Sequence, residues 1–225
     1  MKRVFMAAAI AACAWSESAA AQARAGLHVG LSTSALSMDS SGDSGFRRGL
    51  IAGGWVRFPL VSAVGIQLGA YYTEKGSSDS VQGVTAGIEL KYLEFPVMLA
   101  FVFNRTAAVS GYFSAGGALG VDRGCRISVR SQDVSSSVDC DATDDEVLVF
   151  SSQQFDIGLV LGGGIEFNQG PILLTVDLRA NFGLTDALFV HTADPGRLGL
   201  RNTDHGENVS LSLLAGVAFP LGRVR

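Results

Sequence analysis

The chain has 225 residues, 48% of them hydrophobic and 17% charged, with a formal net charge of −4. This apolar content argues against a disordered chain, and the acidic balance argues against a protein that binds nucleic acid. Its 28 glycines follow no collagen period. The composition therefore indicates a folded protein that combines apolar surface with small residues.

The first residues have the order of a secretory signal peptide. Lys2 and Arg3 precede an apolar run over 4–15, and a stretch of small residues follows it. A helix that spans a membrane needs about 20 apolar residues, which is more than this run contains. The amino terminus therefore predicts export.

We expect residues 1–21 to be the signal peptide, with cleavage after Ala21 or Ala23. A single barrel domain over 24–225 would then remain. The alternative is a lipoprotein signal, in which Cys13 would become the acylated first residue.

The cysteine count fits an exported chain. Without Cys13, only Cys125 and Cys140 remain, and an oxidising compartment favours a disulfide between them. Two free thiols or half of a metal site would need further partners, and that segment has no other Cys or His. The pair lies in a long loop predicted over 122–149, where the disulfide would staple a small hairpin. Closing a loop of about 15 residues stabilises a fold by roughly 3 kcal/mol in the chain-entropy model.

Apolar residues recur at every second position in most of the mature chain. In the clearest segment, 172–184, one face is apolar and the other carries Asp177, Arg179 and Asn181. A β-strand places successive side chains on opposite faces, so this pattern indicates strands. We predict eight of them, over 25–36, 46–59, 63–75, 86–103, 107–122, 150–167, 171–185 and 207–221.

The lengths of the connections indicate how these strands are arranged. Short turns follow the second, fourth and sixth strands, whereas the other connections are longer and polar. Outer-membrane barrels have short periplasmic turns and long extracellular loops. The sequence therefore predicts an all-β fold, an eight-stranded antiparallel up-and-down transmembrane β-barrel.

The fourth strand has the least regular pattern. Leu90 and Tyr92 fall out of phase with the apolar residues that begin at Phe95. A β-bulge near Tyr92 or Leu93 would restore the phase, and Pro96 indicates a local irregularity of the ladder.

The polar face favours a membrane barrel over a soluble one. Its charged residues suit a hydrogen-bonded filling of the lumen, and lysine is almost missing from the chain. Eight strands enclose a space that side chains can fill, which argues against a large pore. We predict an interior polar network that consists of Arg57, Gln67, Tyr71, Tyr112, Asp156, Glu166, Asp177 and Arg179.

Aromatic residues lie toward the ends of several predicted strands. Rings at these positions are typical of the two interfacial girdles of a membrane barrel. The candidates for such girdles are Trp55, Phe58, Tyr72, Phe103, Phe155, Phe167, Phe182 and Phe219.

Three short motifs carry a family resemblance. Gly45-Phe46 leads a strand, Tyr72-Thr73-Glu74-Lys75-Gly76 closes one, and Leu90-Lys91-Tyr92-Leu93-Glu94-Phe95-Pro96 opens the next. Together they resemble the PorT-type outer-membrane β-barrel family. The resemblance implies a barrel in the outer membrane of a Gram-negative cell.

The segment Gly216–Leu221 looks like the carboxy-terminal signal that the barrel-assembly machinery reads, although Gly222–Arg225 follow it in place of a terminal aromatic residue. The machinery is therefore the partner expected during insertion, and outer-membrane lipid is the expected surrounding.

We expect a structural or surface-interaction role without catalysis, cofactor or metal. One alternative is a lipid A-modifying barrel enzyme, and the other is a soluble periplasmic lipocalin-like barrel that binds a ligand. The only histidines are His28, His191 and His205, and no serine has a signature catalytic context. An acidic cluster matches no calcium loop and is interpreted as solvated surface; it consists of Asp139, Asp141, Asp144, Asp145 and Glu146.

Overall fold

The computed structural model describes most of the chain. The described residues are 22–38, 45–61, 63–81, 83–104, 107–131, 135–140, 148–152, 155–185, 188–192 and 205–221. The predicted signal peptide, including Cys13, lies outside them. No helix in these ranges is long and apolar enough to cross a membrane.

The described chain folds into antiparallel strands. They are β1 (Ala23–Met38), β2 (Arg47–Pro59), β3 (Val64–Val81), β4 (Val84–Phe103), β5 (Val109–Arg130), β6 (Ser135–Asp139), β7 (Leu148–Ser152), β8 (Phe155–Gln169), β9 (Ile172–Gly183), β10 (Leu188–Thr192) and β11 (His205–Leu221). Eight of them form a ring in the order β1-β2-β3-β4-β5-β8-β9-β11, which closes where β1 pairs with β11. The predicted eight-stranded antiparallel barrel is confirmed.

Side chains alternate between the lumen and the outside along each barrel strand. On β4, the outward row from Leu93 to Phe103 is apolar and largely exposed, while the inward row is buried. A strand crosses a bilayer with about 9–11 residues, which matches the length of this row. The apolar face is thus on the outside, and the soluble lipocalin-like alternative is wrong because a soluble barrel buries its apolar face.

Tight turns lie at one end of the barrel. They connect β2 to β3, β4 to β5 and β8 to β9, and Asn104 (φ 53°) and Gly170 (φ 72°) adopt left-handed conformations there. Asparagine and glycine tolerate this conformation better than other residues. We call this the short-turn end, and the opposite end the long-loop end.

The irregularity predicted near Tyr92 is present, but the bulged strand is β5. Lys91 pairs with Gly124 and Tyr92 with Asp122, so Arg123 is the additional residue. From Leu90 to Phe103, β4 keeps its alternation, and Leu90 and Tyr92 are buried inside the barrel. The apparent change of phase in the sequence is therefore a change in what faces the lumen, which becomes more apolar toward the long-loop end of β4.

Pro96 coincides with a gap in the ladder between β3 and β4. The pairing runs through Leu68↔Val97 and resumes at Tyr71↔Glu94. Proline has no N–H to donate, which accounts for the interruption opposite it.

Several strands continue beyond the barrel at the long-loop end. β5 extends to Arg130 and turns back as β6, so the predicted loop over 122–149 begins as a hairpin. Cys125 and Cys140 form a disulfide across its base, with their Cα atoms 5.3 Å apart. β7 pairs with β10, and β10 pairs with β11, so strands also extend from the other side of the ring.

Candidate functional site

The inward side chains of the eight barrel strands fill the lumen. All eight residues of the predicted interior network lie there, and none is more than 8% exposed. They fall into three groups along the barrel axis, which we call the lower, middle and upper clusters, with the lower cluster at the short-turn end. The lower cluster contains Arg24, Arg57, Gln67, Tyr112 and Glu166; the middle contains His28, Trp55, Tyr71, Thr175, Asp177 and Arg179; the upper contains Thr73, Lys75, Tyr92, Glu94, Asp156, Asn181 and Asn208.

Arg57 organises the lower cluster. Its Nη1 lies 2.5 Å from Glu166 Oε1, and Arg24 Nη1 lies 2.9 Å from the other oxygen of the same carboxylate. Gln67 Oε1 accepts hydrogen bonds from Arg57 Nε (3.0 Å) and Nη2 (2.8 Å). The guanidinium also lies 4.4 Å from the centroid of the Tyr112 ring. Charge-assisted contacts of this kind hold a buried guanidinium in one orientation.

His28 lies at the centre of the middle cluster. Its Nδ1 is 3.0 Å from the Tyr71 hydroxyl, and Trp55 Nε1 donates to Nε2 at 3.0 Å. Nε2 also lies 2.9 Å from Thr175 Oγ1 and 2.8 Å from Asp177 Oδ2. Polar groups thus surround both ring nitrogens and fix the imidazole across the lumen.

Arg179 covers the other side of Tyr71. Its guanidinium carbon lies 4.6 Å from the Tyr71 ring centroid, and Nη2 donates to the hydroxyl at 3.4 Å. Arg179 and Asp177 come from adjacent inward positions of β9, so this strand supplies both charges of the middle cluster.

The upper cluster contains the most deeply buried lysine. Lys75 Nζ is 2.5 Å from Glu94 Oε1, 4.0 Å from Asp156 Oδ2 and 5.4 Å from the centroid of the Tyr92 ring. Asn208 Nδ2 lies between Tyr92 and Asp156, at 3.4 Å from the hydroxyl and 3.5 Å from the carboxylate. A buried ammonium requires such partners, because burial of an unpaired charge is costly.

Two of the short motifs quoted in the sequence analysis meet in the upper cluster. Thr73 and Lys75 belong to the motif Tyr72–Gly76, and both contact Glu94 of the motif Leu90–Pro96. Thr73 Oγ1 donates to Glu94 Oε2 at 3.1 Å. The register of β3 and β4 places Thr73 opposite Tyr92. The two motifs are thus cross-strand neighbours that build one polar cluster.

The charges within the three clusters balance. The cations are Arg24, Arg57, Lys75 and Arg179, and the anions are Glu94, Asp156, Glu166 and Asp177. A lumen with equal numbers of opposite charges in contact resembles a filled core more than the single-sign ring of a selective channel.

Sequence reasoning missed several of these residues. Alternation places His28 on the same face as Ser32 and Ser34, and this signal would have found it. Trp55, assigned to an outer girdle, lies inside the lumen and is 3% exposed, so that prediction is wrong. It points inward because its position has the parity of Arg57 on β2. Six of the other candidates are exposed on the outside: Phe58, Phe103, Phe155, Phe167, Phe182 and Phe219.

The described residues give no support to an enzyme or metal site. The His28 side chain is 1% exposed and lies deep in the lumen. His191 and His205 have side chains outside the described part of the structure. No group of three or more His, Cys, Asp or Glu in the described ranges could hold a metal ion. Of the acidic cluster, only Asp139 is described, and it accepts from Arg126 Nε at 3.1 Å.

Comparison with known proteins identifies similar barrels. A family model described as outer membrane protein beta-barrel domain matches residues 15–188. OprG from Pseudomonas aeruginosa is 10% identical with a TM-score of 0.53, covering 90% of this chain and 98% of that one. Neisserial surface protein A is 16% identical with a TM-score of 0.46, covering 88% and 97%.

Ail, the attachment invasion locus protein of Yersinia pestis, is 18% identical with a TM-score of 0.43, covering 88% of this chain and 99% of that one. At these identities the likeness concerns the fold alone. A search of the curated proteins finds no significant match.

Proposed function

Because the chain belongs to the outer membrane protein beta-barrel domain family, we propose that it is a non-catalytic scaffold that presents extracellular strands to partners outside the cell. The protein is an eight-stranded barrel of the outer membrane. Its affiliation with PorT-type barrels and its insertion by the barrel-assembly machinery are parts of the same proposal.

The filled lumen is the observation that carries this proposal. Arg57 with Glu166, the group around His28, and Lys75 with Glu94 occupy successive levels of the barrel. A solute would have to break buried ion pairs at two of these levels, which is strongly unfavourable. The outer wall and the extracellular strands remain as the working surfaces of the protein.

The hairpin of β5 and β6 is the best-defined extracellular surface in the described residues. Every residue of β6 is exposed, and the disulfide between Cys125 and Cys140 fixes its base. Exposed Val129 and Val138 lie on one face of the hairpin, and exposed Arg126 and Arg130 lie on the other, so the hairpin has an apolar face and a face that carries arginines. Clusters of apolar and arginine side chains are common where proteins contact one another.

Solute efflux from liposomes tests the filled lumen. We expect liposomes that contain the full chain to release a trapped small solute no faster than protein-free liposomes. A large porin serves as the positive control. Efflux clearly above the protein-free rate would contradict a scaffold without transport.

Photocrosslinking in intact cells tests the surface role. A photoreactive side chain at Val129 or Ser137 would sample the two faces of the hairpin, and one at Leu213 would sample the lipid-facing wall. We expect protein adducts from the hairpin positions and none from Leu213. If the hairpin positions give no protein adducts, the surface-interaction role is wrong.

A further inference from the structure

The imidazole of His28 has more polar neighbours at Nε2 than this nitrogen can bond at once. Trp55 Nε1 lies 3.0 Å from Nε2, Asp177 Oδ2 lies 2.8 Å from it, and Thr175 Oγ1 lies 2.9 Å from it. The side chains of His28 and Asp177 are 1% and 3% exposed, so both lie out of contact with bulk water. The bonds at Nε2 therefore depend on whether this nitrogen carries a proton.

The contacts with Trp55 and Asp177 require opposite states of Nε2. An indole N–H only donates, so Trp55 needs a lone pair on Nε2. An ionised carboxylate only accepts, so Asp177 needs a proton on Nε2. One ring nitrogen holds either the lone pair or the proton, and the two contacts therefore exclude each other as hydrogen bonds. The hydroxyl of Thr175 can donate or accept and is compatible with both states.

The other ring nitrogen, Nδ1, has the same role in both states. When Nε2 accepts from Trp55, the neutral ring carries its proton on Nδ1, and an imidazolium carries a proton there as well. Nδ1 thus donates to the Tyr71 hydroxyl at 3.0 Å in either case. The imidazole can keep its position while only the bond at Nε2 changes.

The carboxylate of Asp177 lacks a donor when Trp55 bonds to Nε2. Its Oδ2 is buried and accepts no hydrogen bond in the described part of the chain. A buried acceptor without a donor is unfavourable. Protonation of His28 supplies a charged donor at 2.8 Å, and a charged hydrogen bond is roughly twice as strong as the neutral one that Trp55 gives up.

We propose that the middle cluster is a proton switch, in which one proton taken up by His28 replaces the bond from Trp55 with a bond to Asp177. Neutral His28 connects β1 to β2, and protonated His28 connects β1 to β9. Histidine is the side chain whose ordinary charge change falls between about pH 5 and 8. The strand to which β1 is bonded in the middle of the lumen thus follows the surrounding pH.

Two arginines lie near this site without occupying it. Arg179 of β9 covers the ring of Tyr71 of β3, with 4.6 Å between its guanidinium carbon and the ring centroid. Arg57 of β2 lies 4.9 Å from the centroid of the Trp55 ring. Both guanidinium groups therefore contact the rings beside the imidazole and leave Nε2 to Trp55 and Asp177.

The remaining strands around the imidazole offer no second carboxylate to it. Glu166 of β8 belongs to the lower cluster, where Arg57 and Arg24 contact its two oxygens. On β11, Gly216 lies beside the imidazole and has no side chain. Asp177 is therefore the carboxylate that meets Nε2 among the described residues.

Histidine-selective nitrogen-15 NMR of the full chain in lipid nanodiscs tests the switch directly. The signal of His28 is assigned as the one lost in His28→Gln. As the pH is lowered from about 8 to about 5, we expect Nε2 to change from an unprotonated acceptor to a protonated donor, while Nδ1 stays protonated. A ring that stays neutral over this range overturns the proposal, and this includes a ring that leaves the proton on Asp177.

Trp55→Phe and Asp177→Asn should move the midpoint of this titration in opposite directions. Trp55→Phe removes the donor to the neutral ring, and we expect the midpoint to rise by up to about 1 pH unit. Asp177→Asn removes the carboxylate that stabilises the charged ring, and we expect a fall of about 1 unit or more.

Asp156→Asn makes the same change of charge in the upper cluster and should leave the midpoint unchanged. Shifts of the two test variants in the same direction overturn the proposal, as does an unchanged midpoint in Asp177→Asn. The titration of the original chain decides alone if a variant does not form a heat-modifiable barrel.

Tryptophan fluorescence gives a second measurement, because the chain has two tryptophans and Trp15→Phe leaves Trp55 alone. The rings of His28 and Trp55 have centroids 5.6 Å apart, and an imidazolium quenches a neighbouring indole more strongly than a neutral imidazole does. We expect the fluorescence to decrease on acidification with the midpoint found by NMR, and His28→Gln to abolish this decrease. A decrease that persists in His28→Gln overturns the proposal.

Discussion

Glycines that face the lumen make space for the rings of the middle cluster. A Cβ at Gly216 would lie 2.2 Å from His28 Cδ2 and 2.3 Å from Leu27 O, and one at Gly26 would lie 2.7 Å from Trp55. The indole and imidazole therefore occupy volume that any other residue would fill. Small residues on one strand are thus the condition for large ones on the next.

We expect Gly216→Ala to destabilise the barrel by about 1–3 kcal/mol, the usual cost of overpacking. The measurement is urea unfolding of the barrel refolded in lipid vesicles. Gly117→Ala is the control, since the nearest atom to its built Cβ is 3.6 Å away. Equal stability of both variants would show that the side chains around His28 can rearrange to accommodate an added methyl group.

The contact between Lys75 and Glu94 predicts a strong effect of removing one partner. Lys75→Met leaves a buried carboxylate without its cation, and we expect a loss of about 3–5 kcal/mol in the free energy of unfolding. Lys75→Met combined with Glu94→Gln should be more stable than the single variant, because Asp156 is then the one carboxylate that loses Lys75 as its cation. Both variants are measured with the same urea unfolding assay. A double variant as unstable as the single one would contradict the ion pair between Lys75 and Glu94.

Alternation in the sequence predicted which side chains face inward, but not which of them touch. Arg57 and Glu166 are 109 residues apart and meet only because β2 and β8 face each other across the lumen. In the sequence, Lys75 stands out only as part of the motif that closes a predicted strand. Its burial depends on Glu94 and Tyr92 of the next strand.

At the scale of the strands, sequence patterns located the part that lies in lipid. The predicted third and fifth strands ended at 75 and 122, whereas β3 and β5 continue to Val81 and Arg130. An apolar face marks a strand only where lipid contacts it. Beyond the membrane, backbone pairing among β3, β4 and β5 continues without that signal.

The stapled hairpin predicts a local effect of disulfide removal. Cys125→Ser with Cys140→Ser should free about 15 residues and cost the hairpin roughly 3 kcal/mol in the chain-entropy model. We expect protease added to intact cells to cleave between 126 and 139 faster in this variant, while the barrel still inserts. Cleavage at the original rate would show that the pairing of β5 with β6 holds the hairpin without the disulfide.

At the scale of the whole molecule, the pairing of β1 with β11 closes the ring. Unboiled protein should therefore migrate differently from boiled protein on a gel. A chain truncated before β11 should lose this difference, because lipid does not tolerate open sheet edges. A chain that ends at Leu221 is the control and should keep it, since Leu221 is the last residue paired with β1. A heat-modifiable band without β11 would contradict closure by this strand.

The closed shape and the apolar exterior could be predicted because lipid imposes both on every residue of a spanning sheet. The register of the strands could not, because the pairing partner of each residue is known only in the structure.

The register also places Ala23 directly opposite Leu221 on neighbouring strands. A short linker between these two residues would span a single interstrand spacing of about 4.8 Å. The chain could therefore start at a different strand while the strands keep the same neighbours around the ring. A circularly permuted chain, opened at the turn between β4 and β5, should assemble the same barrel with its new ends on the same side of the membrane.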